Sequence, residues 1–301
     1  MISLGIDIGA TKALGVALDQ DNRVVAEQAM FTIRGKQGIR SVVMDIATSI
    51  ADQTGISLRD FDSVGIGVPG VVNRKAGEIV SAINLRIENM PLRTIIAPHF
   101  RAPVRLDNDV KVTAIGAGMV LDSLSVTYLS LGTGVAAATL EGRLLRGSDN
   151  EAGEIGHFVI DPGGTICRCG QRGCLETLIG GSYLAPRLAR LELDWATLDQ
   201  NTSQAGQAVY SQAVQVVARL VSLVALVYGS DKIVLGGGVV QAAPWMLEAV
   251  RGRLVEWGQS TAAFPPYARI AGQTITIEND SQVPAIGAAL IGQGWTEGYT
   301  L

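Results

Sequence analysis

A chain of 301 residues, 48% hydrophobic and 17% charged, can bury a sizeable core and is long enough for two domains. Its 24 basic and 28 acidic residues leave a net charge of −4, with no long run of one sign, so it carries no electrostatic footprint for nucleic acid. "MISLGIDIGATK" has no basic segment ahead of its apolar residues, and Asp7 interrupts them, so it does not read as a secretory signal. The most apolar later stretch, "VVARLVSLVALVYG", contains Arg219 and, at about 14 residues, reads as too short and too polar to span a bilayer. The expectation is a cytoplasmic protein with a small, diffusible partner, bound to neither membrane nor nucleic acid.

The first 30 residues read as three strands: "ISLGIDIG", a glycine turn, "KALGVALD", a turn, and "RVVAEQAM". A helix is predicted over 38–54, then a strand "SVGIGV" ending at Pro69-Gly70. A strand "PVRLDND" follows and feeds a helix from Val110 to Leu121. Strands interleaved with helices indicate an α/β fold. Near residue 125 the opening repeats, as "SVTYLSLGTGVAAATLEGRLL". After it come a long helix (205–228), a strand "KIVLGGG", a helix from Ala243 to Trp257, a strand near "ITIE" and a Gly/Ala-rich helix, "PAIGAALIGQG". Two similar halves imply an internal duplication with a cleft between them. Residues 1–120 are assigned to a smaller α/β domain completed by the C-terminal helix (about 284–301), and 121–283 to a larger one carrying the cysteines.

Three turns can approach phosphate: "DIGATK" (Asp7–Lys12), "LGTG" (Leu131–Gly134) and "LGGGV" (Leu235–Val239). Glycine there lets the backbone point N–H groups at anionic oxygens. None fits the Walker or the dinucleotide-binding spacing. "DIGATK" adds a carboxylate that can face Mg²⁺ and a lysine for phosphate. The set resembles the actin-like ATPase superfamily. Within it, the chain resembles the ROK family of sugar kinases and sugar-responsive repressors, from its first strand to its last helix. The resemblance implies a two-domain, actin-like (ribonuclease H-like) fold with ATP and sugar in the cleft. ATP would lie on Asp7, Gly9, Thr11, Lys12, Gly132, Thr133, Gly134, Gly236, Gly237 and Gly238, with Mg²⁺ near Asp7.

"RLDNDVKV" sets Asn108 and Asp109 where a strand gives way to a helix. Both types cap helices well, and a carboxylate there can also take a proton from an attacking hydroxyl. The ROK resemblance makes Asp109 the base and Asn108 a ligand of a sugar hydroxyl. This chain departs from the family pattern at Lys111 and Ala117, where Asn and Glu are usual, at Ala10, and at Ala136 in the less glycine-rich second turn.

All three cysteines fall in "HFVIDPGGTICRCGQRGCLE". His157, Cys167, Cys169 and Cys174 match a closed structural Zn²⁺ site of three thiolates and one imidazole. The spacing also matches the ROK pattern C-x-C-G-x-x-G-C-x-E, as "EIGH" matches its E-x-G-H. By that resemblance Glu154, His157 and Glu176 contact sugar hydroxyls, and Gly70 in "GVPG" adds a backbone contact. His157 would use one ring nitrogen for zinc and the other for sugar. His99 has no such company. The expectation is an ATP-dependent hexose kinase acting at the 6-hydroxyl, glucokinase-like and homodimeric, with structural Zn²⁺ and Mg²⁺·ATP. The alternatives are a non-catalytic sugar binder or a ROK repressor, whose helix-turn-helix would precede a first strand that here starts at residue 2 or 3. Ile87–Met90 stand where glucokinase-like members often carry Trp, so fructose, mannose, allose and N-acylated amino sugars stay open.

Overall fold

The computed structural model describes residues 1–148, 150–259, 266–277 and 280–295. Strands β1 (Ser3–Ile8), β2 (Lys12–Leu18) and β3 (Val24–Phe31) form an antiparallel meander. Helix α1 (Lys36–Thr54) buries Ile39, Val42, Val43, Ile46 and Ile50, an apolar stripe at helical spacing. Strand β4 (Ser63–Val68) returns parallel to β1. A small antiparallel sheet follows, made of β5 (Val71–Asn73), β6 (Glu78–Ala82) and β7 (Ile87–Met90). The sequence reading missed it, because strands this short carry too few alternations to register as a period. Helix α2 (Leu92–Ile96) leads to β8 (Val104–Asn108), which is parallel to β4, and to α3 (Asp109–Val120).

The second half repeats the plan with β9 (Ser125–Leu131), β10 (Val135–Glu141) and β11 (Arg143–Leu144). Then come α4 (Glu176–Ile179), α5 (Gly181–Arg190), α6 (Gln204–Tyr228), β12 (Lys232–Gly236), α7 (Gly238–Gln241) and α8 (Met246–Gln259). Helix α9 (Tyr267–Gln273), β13 (Thr274–Ile275) and α10 (Val283–Gln293) complete it. The two large sheets have the same strand order, β3-β2-β1-β4-β8 and β11-β10-β9-β12-β13, so the duplication read from sequence is present in the topology. Several boundaries move: α8 spans Met246–Gln259 rather than Ala243–Trp257, and three other shifts bear on the site or the sheet. Asp109 opens a helix rather than ending a strand, Gly238 opens α7, and the last strand holds two residues, Glu278 lying outside the described residues.

Helix α6 is also longer than its apolar stretch. At 25 residues it is long and apolar enough to cross a membrane, but 61% of its most apolar window is buried within the protein. Val209, Ala213, Val214, Val217, Leu220 and Val221 belong to the second core. Trp195 and Trp245 pack edge-on at 4.9 Å in that core, and their indole N–H groups donate to the carbonyls of Val239 and Trp195. Both indoles are thereby satisfied, and α7 is pinned behind the third glycine turn.

The chain divides into two compact units. One holds Met1–Leu124, Leu140–Asn150 and the described part of Asn279–Leu301; the other holds Ser125–Thr139 and the described part of Glu151–Glu278. Residues 140–148 and Asn150 thus lie in the first unit. Charge draws them there: Arg146 pairs with Asp107 at 2.6 Å, and Lys111 Nζ donates to the Asn150 carbonyl at 2.8 Å.

In the first unit α10 lies on β1, β4 and α3 with almost nothing between the backbones. A Cβ at Gly65 would fall 1.7 Å from the Ala288 oxygen, and one at Gly287 1.8 Å from the Val112 oxygen. Gly65→Ala must therefore push β4 from α10. It should destabilise by about 3 kcal/mol or more, at the upper end of overpacking, read as a lowered Tm. A Tm within a degree of wild type would mean that the helix can retreat at no cost.

Candidate functional site

In the first unit the sheet register brings distant residues level. Asp7 pairs with Gly67, Gly67 with Asp107 and Val68 with Asn108, all at the carboxyl ends of parallel strands, where open α/β sheets bind ligands. Asn108 is the N-cap of α3. Its Oδ1 accepts from the N–H groups of Val110 (3.0 Å) and Lys111 (3.3 Å), and its Nδ2 donates to the Gly70 carbonyl (3.1 Å). Asn108 is thus the N-cap, and Asp109 stands in the first turn, where its Oδ1 shares the Val110 N–H with the cap at 2.9 Å. Gly70 has φ +94°, and a Cβ there would sit 2.2 Å from the Ser81 oxygen, so only glycine serves.

Asp7 is half-buried, and its Oδ1 is shielded from solvent without a hydrogen-bond partner. Burial, and then the charge of Asp109, push its pKa from 3.8 to about 8. Gly67 makes room for it: a Cβ there would lie 3.0 Å from that oxygen. In the glycine turn beyond, Gly9 N–H donates to the Lys12 carbonyl, while Thr11 and Lys12 are exposed. Thr32 braces this turn, its hydroxyl donating to Gly9 O (2.8 Å) and its N–H to Thr11 O (3.0 Å). Nothing local in the sequence marks Thr32, because the brace comes from the β2–β3 pairing.

The raised Asp7 predicts a pH dependence. Between about pH 4 and 8 the unfolded chain ionises Asp7 while the metal-free folded chain keeps it protonated, so this group's contribution to stability falls as pH rises through that window. Asp7→Asn removes the penalty. Its Tm relative to wild type should climb from pH 5 to pH 8.5, as scanning calorimetry without Mg²⁺ would show; a constant difference would mean that Asp7 is not perturbed.

In the second unit His157, Cys167, Cys169 and Cys174 present ligand atoms all within 4.8 Å of one another. Cys167 Sγ lies 3.6 Å from His157 Nδ1, and Cys169 Sγ lies 3.6 Å from Cys174 Sγ. A tetrahedral Zn²⁺ with Zn–S of about 2.3 Å has edges of about 3.7 Å, so the donor set fits zinc. Cys167 and Cys174 are buried and Cys169 is exposed. Burial pushes the metal-free Cys174 thiol up to about 12, while the Gln171 backbone N–H draws Cys169 down to about 7. Gly173, at φ +76°, lets the loop close: a Cβ there would meet the Asp161 oxygen at 1.5 Å.

With Nδ1 on the metal side, His157 keeps Nε2 for another partner. His157 and Glu154 line one pocket of about 450 Å³, walled on the far side by Leu223, Val224, Val227 and Tyr228 of α6. Glu176 opens α4 two residues past Cys174, and its Oε2 accepts from the Val135 N–H at 3.0 Å. Gly134 leaves the space for that carboxylate, since a Cβ would lie 2.5 Å from Oε2. The carbonyls of Gly132 and Thr133 accept from the N–H groups of Gly181 and Ser182. Gly237, at φ +90°, presses on Leu131, and β9 pairs with β12 through Ser130 and Gly236, so the second and third glycine turns are neighbours. His99 lies in a 3₁₀ turn of the first unit, apart from these groups.

Two sheets of one strand order, each with glycine turns at its strand ends, define the actin-like ATPase fold. The ROK hexokinase of Thermus thermophilus has this fold, with a TM-score of 0.80 and 27% identity over 98% of this chain and 99% of that one. The ROK family profile matches residues 3–294, and the chain belongs to that family. A glucokinase of Halalkalibacterium halodurans is 28% identical over 97% of this chain and 93% of its own length. A xylose repressor of Caldicellulosiruptor bescii is also 28% identical, over 66% of this chain. This chain spans only 53% of that repressor's length.

Proposed function

We propose that the protein is an ATP-dependent hexose kinase, with glucose the first candidate acceptor. The observation that carries this is the pair of carboxylates at the ends of β1 and β8: Asp7 with a shielded, unpartnered oxygen, and Asp109 on the first turn of a helix that Asn108 already caps. Asp109 takes the proton of the sugar's 6-hydroxyl as that oxygen attacks the γ-phosphate. Asn108, Gly70, Glu154, His157 and Glu176 hold the remaining hydroxyls. Glu176 keeps Oε1 for this, because Oε2 is taken by Val135. The backbone N–H groups of the three glycine turns, with Thr11, Lys12 and Thr133, receive the nucleotide's phosphates. Asp7 is a hard carboxylate ligand of the kind Mg²⁺ takes once its proton has left, and when bound the ion would favour that ionised form and neutralise charge on those phosphates. His157, Cys167, Cys169 and Cys174 would hold a structural Zn²⁺, which when bound would fix the His157 ring and the chain leading into Glu176. The protein acts as a homodimer in this reading.

Similarity to a repressor supports a second reading, a sugar sensor that transfers nothing. A coupled ADP-release assay with Mg²⁺·ATP across glucose, fructose, mannose, allose and N-acetylated amino sugars separates the two. Hexose-dependent release at tens of turnovers per second or less is expected. Hexose binding by calorimetry with no ADP release would favour the sensor.

A further inference from the structure

Beside the Asn108–Asp109 corner sits a charged cluster that the proposed reaction does not use. Asp107, on β8, has no exposed surface. Its Oδ2 meets Arg146 Nη1 at 2.6 Å and Arg74 Nε at 3.1 Å. Its Oδ1 accepts from the Asn108 N–H at 2.8 Å and from Asn150 Nδ2 at 3.3 Å. Arg146 Nη1 also donates to Asn150 Oδ1 at 3.0 Å, and buried Lys111 reaches the Asn150 carbonyl. Arg74 follows β5, just beyond the Gly70 turn, whereas Arg146 and Asn150 follow β11. One carboxylate thus ties together three stretches of chain that are remote in sequence.

Stability alone does not account for the cluster, since buried ion pairs are on average no better than well-packed apolar side chains. What the cluster supplies is position: Arg146 Nη1 meets both Asp107 Oδ2 and Asn150 Oδ1, and Asn150 Nδ2 returns to Asp107 Oδ1, so the three side chains fix one another. The group positioned here is the Asn108 backbone. Asp107 holds its N–H, its side chain starts α3 at Asp109, and its amide reaches the Gly70 carbonyl. The direction of Asp109 follows from all three.

We infer that Asp107, clamped by Arg74 and Arg146, is a positioning residue for Asp109, acting through Asn108 and touching no substrate. The inference rests on Asp109 being the base of hexose phosphorylation. Misplacing a reacting group by about 1 Å can cost roughly 10²-fold in rate, which sets the scale. Arg146→Lys keeps the charge but gives up the placement of the one nitrogen that meets both Asp107 and Asn150, so kcat should fall about 10-fold, and Arg146→Met should lower it about 100-fold. KM for Mg²⁺·ATP should stay within about two-fold, because the phosphate turns are untouched. Asp107→Asn combined with Arg146→Met should be no slower than Asp107→Asn alone, since the arginine acts only through that carboxylate.

The test is kcat and KM of the full-length variants, with Tm and the folded fraction measured alongside. If the methionine or asparagine variants do not fold, Arg146→Lys and Arg74→Lys carry it. A kcat per folded molecule equal to wild type in the lysine variants, with only Tm lowered, overturns the inference and leaves a structural cluster. Additive losses in the double variant overturn it as well, because the arginine would then act on the reacting groups directly. A wild type that transfers phosphate to no hexose removes the functional reading and the inference together. An active wild type with unaffected variants removes the inference alone.

Discussion

Asp109→Asn should lower hexose-dependent ADP release by roughly 10²–10⁴-fold while sugar binding persists, the range for losing a general base. The asparagine keeps the size and hydrogen-bonding reach of the side chain but cannot take a proton. Helix α3 should survive the change, because Asn108 supplies the cap to Val110 and Lys111. Only a first-turn negative charge is lost, about 0.3–1 kcal/mol of helix-dipole stabilisation. Removing that charge also relieves Asp7, which Asp109 helps to hold in its protonated form. The contrast is Asn108→Ala, which should cost about 1 kcal/mol through the cap. Steady-state kinetics paired with sugar calorimetry decides the matter. Turnover within a few-fold of wild type would leave Asp109 a first-turn residue and nothing more.

The second large effect is at the sulfur cluster. Purified protein should carry about one Zn²⁺ per chain by elemental analysis. Cys169→Ser is the informative variant, because Cys169 is exposed while Cys167 and Cys174 are buried. The serine removes a ligand without opening a cavity. Zinc affinity and sugar affinity should both drop, each by roughly 10–100-fold, since His157 loses its anchor and the chain entering Glu176 loses its brace. The metal-free protein should take up zinc more weakly as pH falls. Binding must displace a proton from Cys174, whose pKa is pushed up to about 12, and more protons compete at lower pH. Folded, active protein without zinc would refute the site. Zinc loss with unchanged sugar affinity would separate the metal from sugar binding.

Much of the molecule is written locally. The stripe of α1, the strand–turn–strand openings at residues 1 and 125, and the cluster of one histidine and three cysteines between His157 and Cys174 each lie within one short stretch. Periodicity and covalent nearness were enough to determine them. Tertiary structure decided the rest. Asp7 and Asp109 influence one another only because β4 lies between β1 and β8, in a sheet on which α10 packs closely from the far end of the chain. Capping could have fallen to either Asn108 or Asp109 by residue type, and the reach from Asn108 Nδ2 to Gly70 selects Asn108. Arg74 and Arg146 look like surface charges until the packed sheet closes Asp107 off from water. Glu176 reads as a neighbour of the cysteines, yet its partner is Val135, at the second glycine turn. In each case the deciding interaction joins strands or loops far apart in sequence. No local period encodes such a contact, and only the order of strands in the sheet and the burial that follows can make it.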